Sequence, residues 1–120
     1  MQYAVLVYTK PGAIDGLSDE ERQRMSGEYI EIGQHPDCVA GAQLAPVETA
    51  STVRVEDGET LITDGPFANT KEVFGGYYLF EADELDSVLE IAARIPAARL
   101  GGAVEVRPLA VMSPLVEEAS

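Results

Sequence analysis

The order in which strand-like and helix-like hydrophobic patterns alternate constrains this fold more than any other feature of the sequence. In chain order, the patterns predict a strand (3–8), a helix (18–34), a short strand (39–46), a hairpin (52–56 and 60–63), a strand (76–82), a helix (83–96) and a strand around Val104 and Val106. This β-α-β-(hairpin)-β-α-β order is the split βαβ pattern of ferredoxin-like α+β folds, with an inserted β-hairpin. We therefore expect both helices to cover one face of a mostly antiparallel sheet.

Capping and turn residues set the expected ends of these elements. Ser18, followed three residues later by Glu21, predicts a capping box at the start of the first helix. The Asp57-Gly58 pair is the one that type I′ hairpin turns prefer. Asp83 is the expected cap of the second helix, and Pro96 is its expected stop.

The face of the sheet that the helices leave uncovered raises the question of oligomeric state. Tyr8, Arg54 and Arg107, or their neighbours, are expected on it, which gives a surface of mixed polarity that is too apolar in places to stand fully in water. A second subunit packing sheet to sheet would cover this surface. The sequence therefore predicts a homodimer, although the strand registers decide which residue lies on which face.

Composition limits the classes of partner. The 120 residues form a single predicted domain, with 115–120 as a loose tail. The net charge of −13 repels nucleic-acid phosphate and anionic membrane surfaces. A single cysteine, together with a first segment that enters a strand pattern directly, indicates a cytoplasmic protein with no disulfide, signal segment or membrane span.

The segment 62–72 has the most distinctive local chemistry. Asp64-Gly65-Pro66 predicts a tight turn in which Gly65 takes positive φ and Asp64 accepts hydrogen bonds from nearby backbone amides. Phe67 is expected to anchor this loop to the body of the domain, because an exposed phenylalanine would gain little there. Lys71 then follows just before the strand 76–82. The loop thus presents ionisable groups in a constrained conformation.

Three segments together resemble the YCII-related proteins, and in particular the subgroup named after its Asp-Gly-Pro-Phe motif. They are Asp64-Gly-Pro-Phe-Ala-Asn-Thr-Lys-Glu72, Gly75-Gly-Tyr-Tyr78 and the run 92–108. The resemblance covers nearly the whole chain. It implies a dimeric α+β barrel with a cleft between the sheets. Some members of that wider family are suspected enzymes with a histidine–aspartate pair, and a distant branch has a dechlorinating lyase activity. In bacteria the subgroup is often associated with extracytoplasmic-function sigma factors.

The histidine content departs from the histidine-containing branch. The only histidine, His35, lies in the segment that ends the first helix, so a catalytic histidine–aspartate pair cannot be carried over. His35, Asp37 and Cys38 match no zinc-binding spacing and offer no fourth protein ligand. We expect neither a metal nor another cofactor.

Two functions stay open at this stage. The first is a small enzyme, a lyase or hydrolase-like acid–base catalyst, in which Asp64 is the general acid or base and Tyr77 a weaker hydrogen-bonding candidate. A small anionic metabolite would then be held by Lys71, Arg54, Arg107 and Phe67. The second is a non-catalytic ligand-binding or accessory module linked to sigma-factor-dependent transcription regulation.

Each candidate also has a purely structural interpretation. Asp64 could only cap the turn, and Lys71 and Glu72 could be a solvated pair. Tyr77 and Tyr78 could be core aromatics. The arginines, including Arg99, could pair with glutamates on neighbouring strands and at the subunit interface.

Overall fold

The computed structural model describes residues 1–110, so the tail predicted at 115–120 lies outside the described part of the chain. The elements are β1 (Gln2–Thr9), α1 (Asp19–Gly33), β2 (Cys38–Gln43), a short 3-10 helix (Val47–Thr49), β3 (Ser51–Glu56), β4 (Glu59–Asp64), β5 (Val73–Glu81), α2 (Leu85–Ala92), α3 (Pro96–Arg99) and β6 (Ala103–Pro108). The six predicted strands and the two predicted helices occur in the predicted order, with a short 3-10 helix and the additional helix α3 between them.

Four of the strands form one antiparallel sheet in the order β2-β5-β1-β6. Helix α1 connects β1 to β2, and these two strands lie on either side of β5. Helices α2 and α3 connect β5 to β6, and these two strands lie on either side of β1. This mixed α+β architecture is consistent with a ferredoxin-like fold.

One face of the sheet packs on the helices and forms the core. Alternate residues of the central strand β1, which are Tyr3, Val5 and Val7, are buried on this side. Phe80 of β5 and Ile95, just before α3, are 0% exposed. Burial of such large apolar side chains stabilises a domain by about 1.5–3 kcal/mol each. The core therefore fixes which side of each strand faces the helices.

The first helix begins as predicted. The Glu21 amide donates to Ser18 Oγ at 3.1 Å, and the Ser18 amide donates to Glu21 Oε1 at 3.3 Å, so the capping box is formed. None of the helices in residues 1–110 has both the length and the apolar character needed to cross a membrane.

The predicted boundaries of the second helix are wrong at both ends. The helix starts at Leu85, so the cap position belongs to Glu84 rather than Asp83. It already ends at Ala92, and Pro96 opens the separate helix α3. Ile95 is extended, as a residue before proline prefers, and proline at the first helical position loses no hydrogen bond. The proline therefore starts a helix here.

The hairpin β3–β4 forms its own two-stranded sheet. Asp57 and Gly58, at its tip, have φ values of 50° and 79°, as the predicted type I′ turn requires. Arg54 lies in this hairpin, directly opposite Leu61, so the prediction that it shares a sheet face with Tyr8 and Arg107 is wrong. The physical reason is that the hairpin does not join the four-stranded sheet.

Candidate functional site

The four-stranded sheet has a second face that the helices do not cover, which we call the open face. The strand registers define it, and its central part consists of Ala4, Leu6 and Tyr8 of β1, Phe74, Tyr77 and Leu79 of β5, and Glu105 and Arg107 of β6, flanked by Ala40 and Ala42 of β2. Gln2, Glu81 and Ala103 lie on the same side at the ends of these strands. Most of its apolar side chains in β1 and β5 are only half-buried. A sheet face of this composition is a natural surface for a ligand or for another protein.

Tyr77 and Tyr78 have opposite environments. Tyr77 lies on the open face, between Leu6 and Ala42 on the neighbouring strands. Tyr78 points to the helices, where its hydroxyl donates to the carbonyl oxygen of Tyr29 at 2.9 Å, and burial raises its pKa to about 12. Only Tyr77 is therefore placed to meet a ligand on the open face.

Arg107 lies on the same face, opposite Ala4, with Glu105 two residues before it in the strand. The other arginine considered as a strand partner has a different role. Arg99 forms a two-pronged ion pair with Glu28 of α1, with N–O distances of 2.6 and 2.9 Å. The hydrogen bonds lower the pKa of Glu28 and raise the pKa of Arg99. Arg107 is thus the cation that the sheet itself supplies to the open face within residues 1–110.

The turn at Gly65 is formed as expected, but by backbone and threonine groups. Gly65 has a φ of 99°. Its amide donates to the carbonyl oxygen of Ala50 at 2.6 Å, and the Thr52 hydroxyl donates to the Gly65 carbonyl oxygen at 2.8 Å. Within residues 1–110 the Asp64 carboxylate accepts no hydrogen bond, so the expected capping of the turn by Asp64 is not found there. Asp64 is instead exposed at the end of β4.

The expected anchoring of the loop by Phe67 is wrong, because 75% of this side chain is exposed. No element of the described chain lies over the loop to receive the ring. Lys71 and Glu72 are also exposed, and neither forms an ion pair within residues 1–110. The loop therefore presents both apolar and charged side chains outward.

The structure brings the predicted site residues into three groups. Tyr77 and Arg107 share the open face. Asp64, Phe67 and Lys71 lie in or beside the loop that leads into β5 at one end of this face. Arg54 is separate, on the side of the hairpin opposite to Asp64.

Sequence reasoning missed an aromatic pair that joins the loop to the open face. The Tyr8 and Phe74 rings are 5.5 Å apart and tilted by 50°. Their contact depends on an irregularity of the β1–β5 register between Val7 and Tyr8, which puts Phe74 opposite Tyr8. The one local signal in the sequence for this shift is Gly75-Gly76 directly after Phe74, because glycine within a strand often marks an irregularity.

Two shallow cavities lie elsewhere. One, of about 240 Å³, lies beside the Glu28–Arg99 pair, and the other, of about 360 Å³, has an acidic lining that includes Asp37, Glu81 and Asp83. Neither contains a predicted site residue. His35 is also removed from the open face, since its Nδ1 accepts from the Asp37 amide at 3.0 Å and its ring lies 5.9 Å from the core ring of Phe80.

Taken together, these features define a small α+β protein with an antiparallel sheet, helices on one face and an uncovered, partly aromatic second face. Residues 1–113 match the YCII-related domain, and the chain belongs to this family. An uncharacterized protein of Rhizobium meliloti (strain 1021) is 38% identical over 122 residues, which cover 95% of this chain and 96% of that protein.

A solved structure supports the fold. The 5-chloro-2-hydroxyhydroquinone dehydrochlorinase (TftG) from Burkholderia phenoliruptrix AC1100, in complex with 2,5-dihydroxybenzoquinone, is similar with a TM-score of 0.53. The similarity covers 95% of this chain and 98% of that one, at 14% sequence identity. At this identity the similarity concerns the fold alone.

Proposed function

We propose that two copies of this chain stack their open faces into a dimeric α+β barrel and bind a small anionic metabolite in the cleft between them, beside the Asp64–Glu72 loop. The observation that carries the proposal is the open face, a half-buried apolar surface with a single arginine that one chain leaves uncovered. The proposal includes the split βαβ topology, membership of the Asp-Gly-Pro-Phe subgroup and a cytoplasmic location.

The charges on this surface favour an anionic ligand. The chain has only eight basic residues against 21 acidic ones, so the exposed Arg107 is a natural anion anchor on this face, although Glu105 lies on the same side of β6. Arg107 offers two parallel N–H donors to a carboxylate or enolate, and Lys71 adds a mobile charge at the loop. Tyr77, Tyr8 and Phe74 offer aromatic surface on which a flat organic acid can pack.

The catalytic version of the proposal assigns acid–base chemistry to Asp64. Its carboxylate is exposed at the end of β4, and the next residue, Gly65, is held by two hydrogen bonds. A positioned carboxylate can accept or return a proton, and the Tyr77 hydroxyl can donate a hydrogen bond to the ligand. Such chemistry would suit a lyase or a hydrolase that uses no cofactor.

The first test is a thermal-shift measurement with defined anionic probes. Because the similar dehydrochlorinase binds 2,5-dihydroxybenzoquinone, that compound is the first probe, followed by simple aliphatic dicarboxylates and benzoate. A bound probe at 100 times its Kd raises stability by about 2.7 kcal/mol. Loss of this stabilisation in Arg107→Ala is expected, and a full set of probes without any shift would contradict the proposed cleft.

The second test separates a scaffold role of Asp64 from a chemical one. Asp64→Asn keeps the shape and removes the charge, so any turnover found for a bound probe should fall by about 10² or more while the fold and dimer persist. Asp57→Asn at the hairpin tip is the matched control, because asparagine also tolerates its φ of 50°. Full turnover by Asp64→Asn would remove this residue from the mechanism.

The alternative is a non-catalytic ligand-binding module that works with a sigma-factor-dependent regulator. The position of His35 favours it, since the only histidine is directed to Asp37 and Phe80 rather than to the open face. Probe binding without any chemical change of the probe would favour this module over the enzyme.

A further inference from the structure

The β3–β4 hairpin has one apolar side, and this side is uncovered. The strand register places Val53, Val55 and Ile62 on the same side as Asp64. The three apolar side chains are 61%, 66% and 71% exposed. The other side carries mostly polar and charged residues, among them Arg54 and Glu56, with Leu61. We call the side formed by Val53, Val55, Ile62 and Asp64 the arm face.

The hairpin has little support from its own chain. Its strands contact mainly each other, and it is tied to the domain at its base by the hydrogen bonds of Gly65 with Ala50 and Thr52. An isolated two-stranded hairpin is marginally stable in water unless a further surface covers its apolar side. The arm face therefore requires a partner surface.

We propose that the arm face packs against the rim of the open face of a second copy of this chain, beside the stacked sheets, so that each cleft of the dimer is completed by the hairpin of the other subunit. This inference rests on the dimer of the proposed function and adds which subunit supplies Asp64 to each cleft. The carboxylate beside a given cleft would belong to the subunit opposite the one that supplies Tyr77 and Arg107.

Complementary charge supports a second copy as the occupant. Asp64 is the only ionisable residue of the arm face. Arg107 is the only cation of the open face, as the registers of the described strands define it. An arm face docked at the rim of the partner's open face can thus pair its single anion with this cation. Glu105 lies on the same side of β6 as Arg107, so the docked arm face must bring Asp64 nearer to Arg107 than to Glu105.

The area available for association also supports this arrangement. Four strands spaced about 4.8 Å apart and rising about 3.3 Å per residue give an open face of roughly 20 × 20 Å in projection. This is about 400 Å², whereas stable interfaces bury roughly 800 Å² per partner, so the stacked sheets alone supply only about half of that area. The arm face adds a second apolar contact in each direction, and a two-fold axis doubles it.

The test compares two neighbouring residues on opposite sides of the hairpin. Ile62→Lys puts a charge on the arm face, whereas Leu61→Lys, the matched control, puts the same charge on the other side. Both side chains are already exposed, at 71% and 41%, so neither change should unfold the chain. By sedimentation velocity over a dilution series, Ile62→Lys should raise the dimer dissociation constant about 10-fold or more, and the control less than about threefold.

A charge exchange tests the proposed pairing directly. Asp64→Arg and Arg107→Asp should each weaken the dimer about 10-fold, and the double variant should recover most of the loss because the pair is restored in reversed order. Single variants without effect, or a double variant that is as weak as the sum of the two, would overturn the pairing.

Nuclear magnetic resonance of mixed dimers identifies the surface of the partner that the arm face contacts. One chain carries a spin label at Leu61→Cys in a Cys38→Ala background, and the other carries only isotope-labelled methyl groups. Broadening of the Leu6 and Leu79 methyls in the second chain is expected. Broadening confined to Ile30 on α1, or none between chains, would overturn the inference.

The outcomes separate this inference from the proposed function. If Ile62→Lys and Leu61→Lys weaken the dimer equally, the proposed packing of the arm face is refuted, but the proposed stacking of the open faces is not. A wild-type chain that stays monomeric at every concentration would refute both.

Discussion

Replacing Gly65 with alanine isolates the backbone contribution of the Asp-Gly-Pro-Phe turn. Gly65 has a φ of 99°, and an added Cβ would meet no atom within 4 Å. The substitution therefore introduces conformational strain without a steric clash. Because Asp64 precedes this residue directly, the same strain acts on the loop that carries the candidate carboxylate.

The magnitude follows from two opposing terms. A non-glycine residue in such a conformation costs about 1–3 kcal/mol. Alanine also restricts the unfolded chain, which offsets about 0.4–1 kcal/mol of this cost. If the turn relaxes instead, the hydrogen bonds of Gly65 to Ala50 and Thr52 are lost, at about 1 kcal/mol each. Both routes give a net destabilisation of about 1–2 kcal/mol, which corresponds to a fall in Tm of roughly 4–8 °C.

The matched control is Gly27→Ala in helix α1, where an added Cβ also meets nothing within 4 Å and φ is not positive. Here the same chemical change should stabilise the protein by about 0.5–1 kcal/mol, because alanine favours helix. Denaturant unfolding at a fixed protein concentration measures both, since a dimer makes stability depend on concentration. Equal effects of the two substitutions, in sign and size, would refute this account of the turn.

Three further predictions concern packing, ionisation and capping. Gly102→Ala should lower the free energy of unfolding measured in denaturant by about 3 kcal/mol or more, because its Cβ would lie 2.1 Å from the Tyr8 carbonyl oxygen. Gly16→Ala, whose Cβ would meet no atom within 4 Å, should leave the free energy of unfolding nearly unchanged. The raised pKa of Tyr78, about 12, means that stability is full below pH 10 and is lost as the pH rises towards 12, so Tyr78→Phe should flatten the alkaline fall of Tm. Ser18→Ala should cost about 1 kcal/mol by loss of the capping box, and an unchanged unfolding midpoint would contradict its role.

The features that the sequence predicts well have local causes. The capping box needs only Ser18 and Glu21, and the hairpin turn needs only Asp57 and Gly58, so each is encoded within four residues. The positive φ of Gly65 follows equally from its own residue type and the proline after it. The order of elements is the sum of such local signals, which is why it could be predicted.

The features that the sequence predicts poorly depend on contacts between distant segments. Phe67 was expected to be covered because it is apolar, yet covering it requires a surface that the described chain does not place there. One interpretation of Arg99 was a pairing with strand glutamates, but its partner in the fold is Glu28 on α1, 71 residues away. Residue type says that such groups need partners and does not say which partners the fold brings near.

The subunit that supplies Asp64 to a cleft bears on whether this residue would act there as a general base or as a general acid. If the arm face of one subunit brings Asp64 near the partner's Arg107, the carboxylate lies beside the cation that would hold an anionic ligand, and we assign Asp64 the role of general base. A base beside an arginine that also holds an anionic ligand is suited to removing a proton from carbon or oxygen while the negative charge that develops is stabilised. The acid that returns the proton would then be a different group, and Tyr77 is one of two phenol hydroxyls on the open face, the other being Tyr8. Tyr77→Phe should therefore lower the turnover of a bound probe more than its affinity. An equal loss of both would assign Tyr77 to binding alone and leave the returned proton to Tyr8 or to water.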